Sequence, residues 1–225
     1  MGQKRKGTNT PYIAHPMGVA AIALEHGADE DQAMAALLHD AVEDGGEHFA
    51  LRIRSQFGDR VADIVNGCTD GVPDATGIKE DWKIRKERYI AHLEKANDDV
   101  LLVSGSDKLH NARAIVEDLL RIGIKVFDRF KANQAETLWY YETLAGIFES
   151  RGSPVAKTLT ETVQTMQRLT KIKSEVTPAP ESLDLSKQGR FCGTSVIRQG
   201  LELMTEQERE QFFKELKDGG LLPMV

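Results

Sequence analysis

Apolar residues recur along this chain at intervals of three and four, the spacing of one face of an α-helix. Over residues 32 to 44, Met34, Leu37, Leu38, Ala41 and Val42 fall at i, i+3, i+4, i+7 and i+8. This predicts a single amphipathic helix with that stripe as its buried face, capped by Asp29 and ended by Gly45-Gly46. The stretch TPYIAHPMGVAAIALEHG, residues 10 to 27, reads as a turn that becomes a helix. Two shorter helices, 47 to 57 and 59 to 68, are divided by Gly58, and GCTDGVPDATG (67 to 77) reads as a loop. Longer helices are predicted at 79–96, 98–121, 127–150 and 154–174. Leu109, Ala112, Val116, Leu119 and Leu120 form the core stripe of the second of these, and Leu138, Tyr141, Leu144, Ala145 and Phe148 that of the third.

Strand signals are nearly absent, with no sustained alternation and no Asn-Gly hairpin between β-branched runs. The fold class is therefore all-α. Periodicity fades in SEVTPAPESLDLSKQG, which contains two prolines, and returns near the C-terminus, where Thr205 and Glu208 form a capping box. The expected organisation is a helical domain over 1–174, a linker over 175–189 and a short helical extension over 190–225.

Composition narrows the class. The chain has 225 residues, 40% of them hydrophobic, enough for a real core, and no apolar run long enough to span a membrane. A basic start without a following apolar stretch is not expected to be a secretory signal. Cys68 and Cys192 lie far apart and in no metal-ligand spacing, which suits a cytoplasmic location. A net charge of −6 argues against general nucleic-acid binding. Two basic clusters stand out locally: Lys4-Arg5-Lys6, and Lys79, Lys83, Arg85, Lys86 and Arg88. Each reads most simply as a solvated tail or helix face.

The chemistry concentrates in AALLHDAVEDGG, residues 35 to 46. His39, Asp40, Glu43 and Asp44 cover an arc of about 140° at 100° per residue, opposite the apolar stripe. They are either the wet face of an amphipathic helix or a metal site, since three acids and an imidazole without a cation raise one another's charging cost. In SGSDKLHNARAIVEDLL (104 to 120), Asp107 and Asn111 share a helix face, with His110 beside them as a structural or supporting donor. His15, just before Pro16, is held by that proline in extended backbone that swings its ring outward; the proline itself fits a first helical turn. His15, His39, Asp40 and Asp107 together offer two imidazoles and two carboxylates, a mixed set suited to Mn²⁺, Fe²⁺ or Zn²⁺.

Four segments, RKGTNTPYIAHP (5–16), AALLHDAVEDGG (35–46), GCTDG (67–71) and SDKLHNARAI (106–115), resemble the HD superfamily of metal phosphohydrolases. The closer resemblance is to the hydrolase domain of the RelA/SpoT alarmone enzymes in its stand-alone form, the small alarmone hydrolases. It implies an α-helical HD-domain bundle, a Mn²⁺ ion or another divalent transition metal, and removal of the 3′-pyrophosphate from ppGpp and pppGpp. Position by position, it implies His15, His39, Asp40 and Asp107 as metal ligands and Glu43 and Asp44 as the acidic pair acting on the attacking water. Arg5 and Lys6 would hold the nucleotide and Asn111 would contact it; Arg85 and Arg88 have no matched position. The implied partner is a small nucleotide, with no membrane or nucleic acid; oligomeric state stays open, a homo-oligomer included. An HD phosphatase acting on NADPH or a deoxynucleotide, or a catalytically weak nucleotide sensor, fits the same residues.

The chain also departs from that pattern. Gly105-Ser106 replaces the usual Leu-Ala before Asp107, which should loosen the helix by about 1 kcal/mol. Ala114 stands where a hydroxyl residue is common. No helix precedes GQKRKG, which would leave Arg5 and Lys6 mobile or the start truncated. No segment resembles the alarmone synthetase domain.

Overall fold

The structure, a computed structural model, describes residues 3–71 and 80–175, apart from the side chains of Asp44 and of residues 172–175. Lys79, Cys192, most of the 67–77 loop, the expected linker beyond Glu175 and the C-terminal extension lie outside the described residues.

Nine α-helices carry the described fold: α1 (Ala14–Glu25), α2 (Glu30–Leu38), α3 (Ala41–Gly45), α4 (Glu47–Phe57), α5 (Asp59–Cys68), α6 (Trp82–Leu93), α7 (Asp98–Ile122), α8 (Gln134–Ser150) and α9 (Ala156–Glu175). A 3₁₀ segment, Gly123–Arg129, links α7 to α8. Among the described residues the sole β feature is an isolated bridge between Lys4 and Pro11. The all-α class holds.

Several starts and stops follow local chemistry. Asp29 and Gln32 form a reciprocal capping box on α2, and Asn133 and Glu136 do the same for α8, so α8 begins later than its periodicity predicts. Gly58 separates α4 from α5 with φ of 88°, a left-handed conformation that favours glycine.

The amphipathic helix predicted over 32–44 is two helices, α2 and α3, broken at His39-Asp40. The His39 ring Nδ1 lies 2.8 Å from the Ala36 carbonyl, the acceptor an unbroken helix would give to the Asp40 amide. The buried face is also not the predicted one. Ala35, Ala36, His39 and Val42 are buried, while Met34 and Leu37 are exposed. Two alanines bring the α2 backbone close to its neighbours, and the histidine goes in with them. The face predicted to be wet therefore points partly inward.

α7 is the central element and packs against α1, α2, α5, α8 and α9. Every residue from Val100 to Asp107 is buried, so this half of the helix has no solvent face. Its predicted stripe holds at Leu109, Ala112 and Leu119 but not at Leu120, which is 62% exposed. The helix runs unbroken through Gly105. A Cβ there would collide with the Val155 Cγ2, and the Phe148 ring lies 3.4 Å away, so glycine is what lets this surface seat against α7. Gly105→Ala is accordingly expected to lose net stability. Overpacking against stiff, buried Val155 costs about 1–3 kcal/mol, more than the ~1 kcal/mol of helix propensity gained. A lower urea midpoint at unchanged slope checks this; a raised midpoint contradicts it.

Candidate metal centre

Three elements bring the candidate ligands together. His15 enters from the first turn of α1, His39 and Asp40 from the break between α2 and α3, and Asp107 from the middle of α7. His15 lies inside α1, and its amide donates to the Tyr12 carbonyl at 2.9 Å, so the extended backbone expected from Pro16 does not occur. The proline costs no hydrogen bond, because the carbonyl its N–H would have sought already has a donor. The ring is aimed by its place on the buried face of α1.

His15 Nε2 lies 3.2 Å from Asp107 Oδ1 and 3.5 Å from Asp40 Oδ2. His39 Nε2 lies 3.3 Å from Asp40 Oδ1 and 3.6 Å from Asp107 Oδ1. His15, His39 and Asp107, all buried, offer ligand atoms within 4.8 Å of one another. Asp40 borders this trio and is more exposed, with its Oδ2 also accepting from the Tyr12 hydroxyl.

The donor set fits a divalent cation. The Ala36 carbonyl only accepts, so it fixes the proton of His39 on Nδ1 and leaves a lone pair on Nε2. In the neutral imidazole that buried Nε2 has no hydrogen-bond partner and faces the Asp40 and Asp107 carboxylates, a cost that a proton or a metal ion resolves.

The surroundings are ordered by groups that can only donate. Lys108 donates to Asp107 Oδ2, leaving Oδ1 toward the histidines. The Arg5 Nη2 donates to Asn111 Oδ1 at 2.7 Å, which orients the amide so that its Nδ2 donates to Asp107 Oδ1 at 2.6 Å. Arg5 is not mobile. Its amide donates to the Thr10 carbonyl at 2.9 Å, and the Tyr12 amide to the Gln3 carbonyl at 2.9 Å, closing a hairpin-like loop ahead of α1. Lys6 follows on the exposed turn of that loop.

Glu43, half-buried, and Asp44 follow in α3; the Asp44 side chain lies outside the described residues. Glu43 pulls on the charge of Lys86. The second basic cluster is not one solvated face. Arg85 and Lys86 both donate to the buried Asp70, and Lys86 sits over the Tyr140 ring, whereas Arg88 is exposed and pairs with Glu80. Tyr12, Lys108 and Asp70 go unmarked in the sequence, because a tyrosine in a turn, a lysine on a helix or an aspartate in a loop carries no spacing signal.

Burial opposes charge on both histidines, yet the carboxylates of Asp107 and Asp40 outweigh it and raise both, His39 to about 10. Burial likewise works against charge on Asp40 and Asp107, but both lie below the carboxylate range: His15 and His39 hold Asp40 down, and Lys108 and then the histidines hold Asp107 down. His110 is pushed down to about 4 by burial, His15 and Arg5, and stays neutral.

The raised histidines stabilise the metal-free protein fully below the ordinary imidazole value of about 6.5, and for His39 that contribution is lost as pH rises through about 10. A metal must displace those same protons. Apparent affinity for a divalent cation is therefore expected to rise between about pH 6 and about pH 9, up to tenfold per unit for each proton displaced. Calorimetry in buffers of different ionisation enthalpy counts the released protons; a pH-independent affinity without proton release contradicts the assignment.

An all-α bundle that converges two imidazoles and two carboxylates from three elements presents a donor set suited to a divalent metal. The chain belongs to the HD domain family, whose model matches residues 1–138. It is 40% identical over 108 residues to guanosine-3′,5′-bis(diphosphate) 3′-pyrophosphohydrolase MESH1 of Danio rerio, covering 46% of this chain and 55% of that protein. To GTP pyrophosphokinase of Streptomyces coelicolor it is 38% identical over 114 residues, 51% of this chain and 13% of that one. The chain thus spans little more than half of one relative and a small part of the other. A solved metazoan ortholog of SpoT, described as hydrolysing ppGpp and playing a role in starvation responses, superposes with a TM-score of 0.57 at 25% identity. That match covers 75% of this chain and 88% of that one.

Proposed function

We propose that this chain is a Mn²⁺-dependent hydrolase that removes the 3′-pyrophosphate of ppGpp and pppGpp, acting in the cytoplasm. The observation that carries the reading is the convergence of His15, His39 and Asp107 on one point, with the Arg5 guanidinium braced beside it on Asn111. The names of the MESH1 relatives support the same substrate.

In this reading His15, His39, Asp107 and Asp40 hold the ion. A divalent metal held there supplies Lewis-acid chemistry, polarising a phosphoryl oxygen and lowering the pKa of water. Glu43 and Asp44, one helical turn beyond the His39-Asp40 pair, take the proton of the attacking water and return it to the leaving 3′ oxygen. Arg5 and Lys6 bind the anionic diphosphates, concentrating positive charge locally on an acidic protein. Asn111, bonded to both Arg5 and Asp107, keeps the nucleotide-binding arginine in register with the ion while its remaining amide proton meets the substrate.

A panel of ppGpp, NADPH and deoxynucleoside triphosphates at equal concentration tests the substrate. The reading predicts that kcat/KM for ppGpp exceeds the others by at least an order of magnitude. Preference for NADPH or a deoxynucleotide overturns the substrate and keeps the metal centre.

A further inference from the structure

The two histidines of the trio are held by different kinds of acceptor. His39 is fixed by a backbone carbonyl, which no substitution of a side chain removes. His15 is not: its Nδ1 lies 3.0 Å from the Nδ1 of a third histidine, His110 on α7, and the two rings stand 4.9 Å apart. Two nitrogens at that distance share one proton, and the question is which ring carries it.

Arg5 answers it. Its Nη1 approaches the same His110 Nδ1 at 3.2 Å, and a guanidinium has donors only, so His110 Nδ1 must be the unprotonated, accepting nitrogen. The proton between the histidines then belongs to His15 Nδ1. With Nδ1 protonated, the lone pair of His15 is on Nε2, the atom facing Asp107 Oδ1 at 3.2 Å. A donor-only group thus sets the tautomer of a metal-site imidazole through one intervening ring.

The packing is built for this contact. Gly18 lies three residues after His15 on α1, and a Cβ there would collide with Nε2 and Cδ2 of the His110 ring. The absent side chain is the slot through which His110 reaches across from α7.

We propose that His110 is a positioning residue for the metal centre: as a neutral acceptor it holds His15 in its ligating tautomer, and it joins that ligand to Arg5. The inference rests on the metal-centre reading but not on the identity of the substrate. Arg5 is then tied to the site by two routes, through Asn111 to Asp107 and through His110 to His15. The basic loop and the ion-binding atoms form one bonded unit.

The test is Mn²⁺ affinity of the full chain, measured by calorimetry on metal-free protein, with the thermal midpoint of that same protein as the control for folding. His110→Phe keeps the ring volume and removes the acceptor; it is expected to weaken Mn²⁺ binding about 10- to 100-fold, as loss of a partner to a ligating histidine does. His110→Asn places an amide oxygen near the position of Nδ1 and is expected to bind within about threefold of wild type by restoring that partner. Gly18→Ala closes the slot and is expected to behave as His110→Phe. Unchanged Mn²⁺ affinity in a folded His110→Phe protein overturns the proposal. So does His110→Asn as weak as His110→Phe, since the position then needs the ring and not the acceptor. Should His110→Phe fail to fold, Gly18→Ala and His110→Asn decide by the same criterion. Failure of metal-loaded wild type to hydrolyse ppGpp removes the substrate assignment and leaves this result standing.

Discussion

Asp40→Ala is expected to lower ppGpp hydrolysis at least a thousandfold while leaving the domain folded. Its two carboxylate oxygens lie 3.3 and 3.5 Å from the Nε2 atoms of His39 and His15, so it borders both imidazoles of the centre. Charge stabilisation by a metal amounts to several kcal/mol at the transition state, and about 4 kcal/mol corresponds to a factor of 10³. Asp40 is less buried than Asp107 and packs no core, so its removal acts on the site more than on the fold. Tyr12→Phe, which removes the hydroxyl donated to Asp40, is the graded companion and should cost about 10- to 100-fold. The variants are compared by single-turnover rates under saturating Mn²⁺, with circular dichroism to verify folding. An Asp40→Ala rate within tenfold of wild type would remove Asp40 from the ligand set.

Asp70→Ala should have the largest effect on stability. Asp70 is buried and accepts from both Arg85 and Lys86, each largely shielded from solvent. Burial and the charge of Lys108 push the Lys86 amine down, while Asp70 and Glu43 pull it up. Without Asp70, Arg85, Lys86 and Lys108 face one another with Asp107 and Glu43 as the remaining nearby acids. Breaking a buried pair by removing one partner costs about 3–5 kcal/mol. In a protein of this size that lowers the thermal midpoint by on the order of 10 °C. The sign with pH follows from the Asp70 carboxyl, held below its usual range by Lys86, Lys108 and Arg85 against the effect of burial. Its stabilisation is present above the ordinary aspartate value of about 3.9 and is lost as pH falls through the lowered one. The deficit of Asp70→Ala should therefore be full at neutral pH and shrink in acid. Differential scanning calorimetry across that range measures it; a midpoint within 2–3 °C of wild type, roughly 1 kcal/mol, contradicts it.

The sequence carried the element map well, because caps and glycine breaks are local chemistry. Asp29 caps α2 as read, Gly58 divides α4 from α5, and Gly46 follows the end of α3. The buried face of α2 was not legible. Hydrophobic periodicity favours Met34 and Leu37, whereas close packing selects Ala35 and Ala36 and draws His39 inward with them. α7 shows the same limit, since a helix surrounded by neighbours buries Ser104, Ser106 and Asp107 as readily as leucines. Its Gly105 looks like a weak point in the sequence and is a contact point in the fold.

For the site, residue type and resemblance single out His15, His39, Asp40 and Asp107, and the fold brings all four together. What surrounds them was hidden. Lys108 and Asn111 act on Asp107 and His110 acts on His15, and these are contacts between a helix face and its neighbours that no spacing encodes. Arg85 looked like part of a solvated cluster because a single sequence does not show that Asp70 folds beneath it.

The proposed reaction at this centre is cleavage of the 3′-diphosphate of ppGpp. The direct measurement is product identity after incubating wild-type protein, with its bound Mn²⁺ quantified, with ppGpp. GDP and pyrophosphate are expected in equal amounts. Intact ppGpp in the presence of stoichiometric bound metal, or orthophosphate in place of pyrophosphate, would contradict it.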